Sequence, residues 1–130
     1  MDKTALVDTT IENGRRLIDS LDKAGFPVDA ALWLYSSDSD DWRLTIASDL
    51  VDRLGPLQTY GRVQTVLTSL PPESRLALKD ISVVSPKSPL IQAFRRAARA
   101  APDGHEFRLR QSAINGMFVE DAYVYRVSSP

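Results

Sequence analysis

The stretch ALWLYSSDSDDWRLTIAS, residues 31–48, decides the fold more than any other part of the chain. Its first five residues are apolar at every position, which predicts a strand that is covered on both faces and central in its sheet. From Trp42 to Ser48 apolar and polar side chains alternate, which predicts a second strand. The residues between them, 37–41, are serines and aspartates, whose side chains bond nearby backbone amides in turns. The stretch therefore predicts a β-hairpin with an exposed acidic tip.

Three amphipathic helices are predicted around this hairpin. The first runs from about Thr4 to Ala24, and Gly14 in its middle is a weak point, since glycine costs about 1 kcal/mol relative to alanine inside a helix. The second begins at Pro56 and ends before Pro71. The third begins with Ser88 as N-cap and Pro89 in its first turn. The second helix is expected to bury one stripe of side chains, formed by Leu57, Tyr60, Val63, Leu67 and Leu70.

Three further strands are predicted in the second half of the chain, at Leu78 to Val84, Glu106 to Ser112 and Ala122 to Val127. Asn115-Gly116 fits a two-residue type I′ turn between the last two strands, but a longer loop is required if Ile114 to Asp121 does not pair. The sequence leaves both alternatives open.

The order of these elements, αββαβαββ, predicts the fold class. It contains about five strands, mostly antiparallel, and three helices, which is the arrangement of an α+β domain rather than a doubly wound parallel sheet. A length of 130 residues is typical of one domain, so residues 1–130 are expected to form a single α+β domain.

Composition narrows the cellular setting. The longest apolar run, residues 30–35, is far shorter than the roughly 20 residues that cross a bilayer, and a start with Asp2 and Lys3 does not resemble a secretion leader. The absence of cysteine excludes disulfides, thiolate zinc sites and cysteine nucleophiles, and it fits a reducing compartment. We therefore predict a soluble cytoplasmic protein that does not bind membranes.

Charge narrows the class of partner. The net charge is −1, so the whole molecule has no broad attraction to nucleic acid or anionic lipid. The two halves differ, however: residues 1–65 hold seven Lys/Arg and eleven Asp/Glu, whereas residues 66–130 hold nine and six. Only the second half, with a net charge of +3, can present a basic surface.

The residues that common active sites require are largely missing. His105 is the only histidine, so no histidine pair is available for zinc, and it is expected to lie at the surface or in a turn. The glycines match neither a phosphate loop nor a dinucleotide fingerprint. The acidic tip fails the calcium-loop pattern, since counting from Asp38 puts Arg43 where glycine is needed and Asp49 where glutamate is needed. We predict no catalytic residue, no cofactor and no metal.

Arginine is the most promising residue type for recognition. The predicted third helix carries arginines opposite its apolar stripe, and the following strand carries arginines on one of its faces. If the helix lies near that strand, these guanidinium groups can converge on a phosphate or carboxylate. The candidate partner-binding residues are Arg95, Arg96, Arg99, Arg108 and Arg110.

Two functional hypotheses follow. The first is a small noncatalytic cytoplasmic protein, an interaction or accessory module that contacts another protein or itself through a sheet edge or through the arginines. The second is a nucleic-acid-associated protein that binds phosphate through the arginines, with Asp38, Asp40 or Asp41 holding a metal if it cleaves phosphodiesters. The near-neutral net charge favours the first hypothesis.

Overall fold

The structure is a computed structural model and describes residues 6–100 and 106–128. Its helices are α1 (Asp8–Lys23), α2 (Leu50–Leu54), α3 (Pro56–Ser69) and α4 (Pro89–Ala100). Its strands are β1 (Ala30–Ser36), β2 (Asp41–Ala47), β3 (Ile81–Val84), β4 (Phe107–Ile114) and β5 (Met117–Val127). Two short 3₁₀ turns, Pro72–Ser74 and Leu78–Asp80, lie between α3 and β3.

The five strands form one mixed sheet in the order β3-β2-β1-β5-β4. The prediction of a small α+β domain is confirmed, and β1 is the central strand, as its continuous apolar run predicted. Strands β1, β2, β4 and β5 pair antiparallel, whereas β3 pairs parallel to β2. A parallel neighbour needs a long crossover, and α2 and α3 supply it.

The structure differs from the prediction in the number of helices and in where the third strand begins. The short helix α2 was not predicted, because five residues are too few to show a helical period. The strand predicted from Leu78 begins only at Ile81, because the first three residues form a 3₁₀ turn. The predicted start of the third helix is confirmed: the Ser88 Oγ accepts a hydrogen bond from the Ile91 amide, at 3.4 Å.

Helices cover both faces of the sheet. On one side, called here the α1 face, residues of α1 and α3 pack against β1 and β2, with Leu17, Val63, Trp33 and Leu44 all buried. On the other side, the α4 face, Ile91 and Phe94 pack against Leu32, Ala122 and Val124. Alternate side chains of β1 therefore enter two separate hydrophobic clusters, which explains why the strand is apolar along its continuous run.

Gly14 is a contact position rather than a weak point in α1. It is buried, and a Cβ at this position would overlap the Tyr125 hydroxyl and lie 3.0 Å from the Trp33 indole nitrogen. The Tyr125 hydroxyl accepts a hydrogen bond from Trp33 Nε1 at 2.7 Å and donates one to the Ile11 carbonyl at 2.7 Å. Glycine at this position lets the helix approach the sheet closely enough for both bonds to form.

The β4–β5 connection is the tight turn rather than the long loop. Ile114 pairs with Met117, and the two residues between them, Asn115 and Gly116, have φ values of 51° and 76°, as a type I′ turn requires. Strand β5 pairs with β1 only from Asp121 onwards. Residues 111–120, called here the distal arm, therefore extend beyond β1 as a ribbon of two strands.

No helix within the described residues is long and apolar enough to cross a membrane.

Candidate functional site

The arginines proposed for recognition lie on two opposite faces of the sheet. Phe107 and Leu109 of β4 pack into the cluster formed by α4, so this helix lies on their face. Successive side chains of a strand point to opposite faces, and Arg108 and Arg110 consequently point to the α1 face. The condition for convergence, that α4 and the arginine side of β4 lie together, is not met in the structure.

Arg108 is held inside a local cluster on the α1 face. Its guanidinium donates two hydrogen bonds to the carboxylate of Asp121, at 2.6 and 2.8 Å, and lies 5.4 Å from the centre of a Trp42 ring. The bonds to Asp121 raise the pKa of Arg108. This bidentate pair links β4 to β5 and leaves little of the guanidinium for a ligand.

Arg95 also serves the fold. Its guanidinium donates to the carbonyl oxygens of Ser128 and Pro86, at 3.0 and 3.3 Å, and so ties α4 to two neighbouring segments of chain. By contrast, Arg96 and Arg99 are exposed on α4. Arg110 is 66% exposed, and its nearest carboxylate contact is a 3.8 Å approach to Asp121. Three of the five candidates thus present much of their charge to solvent, and they do so on two separate surfaces.

The acidic tip of the first hairpin is internally bonded. Asp40 accepts a hydrogen bond from the Tyr35 hydroxyl at 2.7 Å, and Asp41 accepts one from the Ser39 hydroxyl at 2.6 Å. Over residues 6–100 and 106–128, no three or more Asp, Glu or His side chains are grouped so as to hold a metal ion. His105 lies outside the described residues.

A second ionic cluster, which the sequence did not predict, joins α1 to the start of β4. Arg15 donates two hydrogen bonds to Glu106, at 3.0 and 2.6 Å, and the Tyr123 hydroxyl donates to the same carboxylate at 2.6 Å. Arg15 lowers the pKa of Glu106, while partial burial raises the pKa of Tyr123. Arg15 and Glu106 are 91 residues apart in the chain, so no local pattern could reveal the pair. Because the three side chains use their polar groups to bond one another, the cluster stabilises the packing of α1 against the start of β4.

The distal arm is the most exposed apolar part of the sheet. It contains no charged residue from Gln111 to Val119, although 25% of the chain is charged. Phe118 is 60% exposed. A shallow depression of about 260 Å³ lies beside it, lined by apolar residues of three elements together with Asp38 and Glu120. The apolar lining residues are Leu34, Leu90, Met117, Phe118 and Val119. The uncharged run in the sequence was the available signal for this surface.

The base of the distal arm is fixed to the tip of the first hairpin. Glu120 accepts hydrogen bonds from the Ser37 hydroxyl at 2.8 Å and from the Ser37 amide at 3.2 Å. The turn of the arm, at Asn115 and Gly116, is exposed. The arm is therefore anchored at one end and presents the other end to solvent.

Strand β4 is an edge of the sheet. Among the described residues its ladder partner is β5, and no strand lies on its other side. An edge strand presents backbone N–H and C=O groups that can pair with another chain.

Comparison with protein-family models, curated proteins and solved structures found no match. Functional inference for this chain therefore rests on the β4 edge and the distal arm.

Proposed function

We propose that this chain is a small noncatalytic protein-interaction module of the cytoplasm, which binds another protein or a second copy of itself along the β4 edge and the distal arm. The exposure of Phe118 is the observation that carries the proposal. The lack of cysteine fits the reducing compartment that the proposal names.

The composition of the distal arm supports a partner. A two-stranded ribbon alone is at best marginally stable in water, and edge strands are normally protected by charges or bulges. This arm instead presents Phe118 beside Met117, with no charge nearer than Glu120 on its own strand. Aromatic side chains are favoured anchors of protein interfaces, because they bury about 150–250 Å² each at a small cost in rotamer entropy.

The nucleic-acid hypothesis receives less support from the placement of the arginines. Arg95 and Arg108 are used within the fold, and the exposed Arg96 and Arg99 lie on a different face from Arg110. A phosphate-binding surface limited to Arg96 and Arg99 offers two contacts. Affinity for duplex DNA is driven largely by the release of about 0.9 counterion per phosphate contact, so two contacts supply little binding free energy.

The test compares two exposed apolar side chains at different places. Leu57 is 86% exposed on α3 and provides the matched control for Phe118. The wild-type chain, Phe118→Ser and Leu57→Ser are each used for affinity capture from the source lysate with quantitative mass spectrometry, and each is examined by sedimentation equilibrium. We expect Phe118→Ser to reduce capture of the partner, or self-association, about tenfold or more, and Leu57→Ser to leave it unchanged.

Two results would contradict the proposal. Equal capture by the wild-type chain and Phe118→Ser would remove the distal arm from the interface. A hydrolytic activity of the pure chain that one carboxylate substitution abolishes would contradict its noncatalytic character.

A further inference from the structure

We infer that the partner supplies an extended segment that pairs with β4 along Phe107–Arg110, with an acidic side chain next to Arg110 and apolar side chains next to Phe107 and Leu109. This inference rests on the proposed function and names the chemistry of its partner. The evidence for this inference is the charge and the burial of the four edge residues 107–110.

The charge of β4 on the α1 face favours an acidic side chain on the partner. Arg108 and Arg110 both lie beside Asp121, which is the carboxylate that contacts each of them. Asp121 is engaged by Arg108 at 2.6 Å and is 3.8 Å from Arg110, so one positive charge is left unbalanced. Side chains directly opposite on adjacent strands lie about 4.5–5.5 Å apart at Cβ, and a carboxylate on an added strand is therefore well placed to balance Arg110.

On the α4 face, β4 offers apolar side chains to an added strand. Phe107 and Leu109 are half-buried and pack at the border of the cluster that contains Ile91 and Phe94. Side chains of an added strand on this face would continue that cluster outwards. Because residues alternate between faces, a segment that satisfies both sides of β4 must itself alternate acidic and apolar residues.

A second copy of the chain fits the β4 edge less well than an acidic segment does. Two β4 strands related by a two-fold axis perpendicular to the sheet pair antiparallel with equivalent faces aligned. When the axis passes through Leu109, Arg108 of one copy stands opposite Arg110 of the other, and when it passes through Arg110, that arginine stands opposite itself. When it passes through Arg108, Arg108 stands opposite itself and Arg110 stands opposite Glu106, whose carboxylate is already bonded to Arg15 and Tyr123. Like charges directly opposite each other are destabilising, so these registers disfavour self-pairing and favour an acidic segment.

The backbone at Gln111 sets the end of the part of β4 that can pair with an added strand. Gln111 has a φ of 48°, in the left-handed region that residues with a Cβ adopt at a cost. The β4–β5 register is the same before and after this residue. An added strand that follows regular geometry therefore pairs with residues 107–110 and leaves the edge at Gln111, next to the distal arm.

The test selects the partner chemistry from random peptides. A phage-displayed library of dodecapeptides is panned against the full chain, against Arg110→Glu, and against Arg62→Glu, which makes the same charge change at an exposed position on α3. We expect the wild-type chain and Arg62→Glu to enrich peptides that alternate acidic and apolar residues. We expect Arg110→Glu to lose the acidic preference and to bind the selected peptides about tenfold more weakly.

Amide exchange with a selected peptide locates its binding site, and we expect new protection at residues 107–110. Peptides that protect this edge but show no acidic preference would overturn the inference and leave the proposed function intact. Peptides whose binding depends on neither β4 nor Phe118 would overturn both. Failure to enrich any alternating sequence, or a free chain that dimerises through β4, would overturn the inference as well.

Discussion

The two hairpins of the sheet are built by the same local rules and have opposite environments. The β1–β2 hairpin lies in the middle of the sheet, with Trp33 only 2% exposed, and helices cover both of its faces. The β4–β5 hairpin ends the sheet with β4 as its edge strand, and its distal arm presents Phe118 to solvent. Turn residues and apolar strands are enough to form a hairpin, whereas its position in the sheet decides whether its side chains are buried in the core or exposed to solvent.

The largest expected difference in the free energy of unfolding is between variants of one aromatic residue in each hairpin. Trp33→Ala removes a buried ring and leaves a cavity, so it should lower the free energy of unfolding by about 3–5 kcal/mol. Phe118→Ala removes a ring that is mostly in water and should change it by less than about 0.5 kcal/mol. Urea denaturation of both variants measures the difference, and a large loss in Phe118→Ala would show that the arm belongs to the core.

The next effect distinguishes two tyrosines of β5. Tyr125→Phe removes the oxygen that accepts from Trp33 Nε1, and an unsatisfied buried donor should cost about 1–3 kcal/mol. Tyr123→Phe removes a partly exposed bond to Glu106 and should cost less than about 1 kcal/mol. Thermal and urea unfolding of the two variants should rank them in this order. Equal losses of unfolding free energy would mean that the buried hydrogen bond from Trp33 to Tyr125 does not stabilise the packing of the second hairpin against the core.

A smaller effect is expected at the turn of the distal arm. Gly116 has a φ of 76°, and Gly116→Ala should lower the free energy of unfolding by about 1 kcal/mol, because alanine is strained in the left-handed region. Gly61→Ala provides the control, since Gly61 lies in α3 with open space where a Cβ would stand, and this substitution should stabilise the chain by about 0.5–1 kcal/mol. Chemical denaturation should show changes of opposite sign, and the same sign in both would contradict the I′ turn.

The smallest effect is a pH dependence at the start of β4. Arg15 lowers the pKa of Glu106, so the ion pair stabilises the folded chain above the unfolded carboxyl pKa of about 4.3 and this stabilisation is lost as pH falls through the folded value. Glu106→Gln should therefore lose less than about 1 kcal/mol near pH 7, because the pair is partly exposed, and should match the wild-type chain near pH 2. A constant difference across that range would exclude the ion pair as its cause.

Most of the fold could be predicted from local patterns. The continuous apolar run of β1 predicted a central strand, the Ser88-Pro89 pair predicted the start of α4, and Asn115-Gly116 was compatible with the turn observed. The parallel pairing of β3 was not predicted, since a strand of four residues carries no information about its neighbour. Leu57 was expected on the buried stripe of the second helix, but it is exposed in the structure.

The surface was less predictable than the fold. Alternation along β4 already implied that Arg108 and Arg110 face away from Phe107 and Leu109, and an amphipathic α4 must pack on the apolar side. Applied together, these two rules separate the arginines of α4 from those of β4. The exposure of Phe118 depends on how far β1 extends beside β5, which is a tertiary property that no local pattern determines.

Backbone amide exchange of the free chain tests most directly whether the second hairpin is the uncovered part of the sheet. We predict that amides of residues 31–34 in β1 exchange only through global unfolding. Amides of residues 112–119 in the distal arm should exchange through local opening, with protection factors at least about a hundredfold lower. Equal protection in the two hairpins would contradict this account, because it would mean that the arm is already covered without a partner.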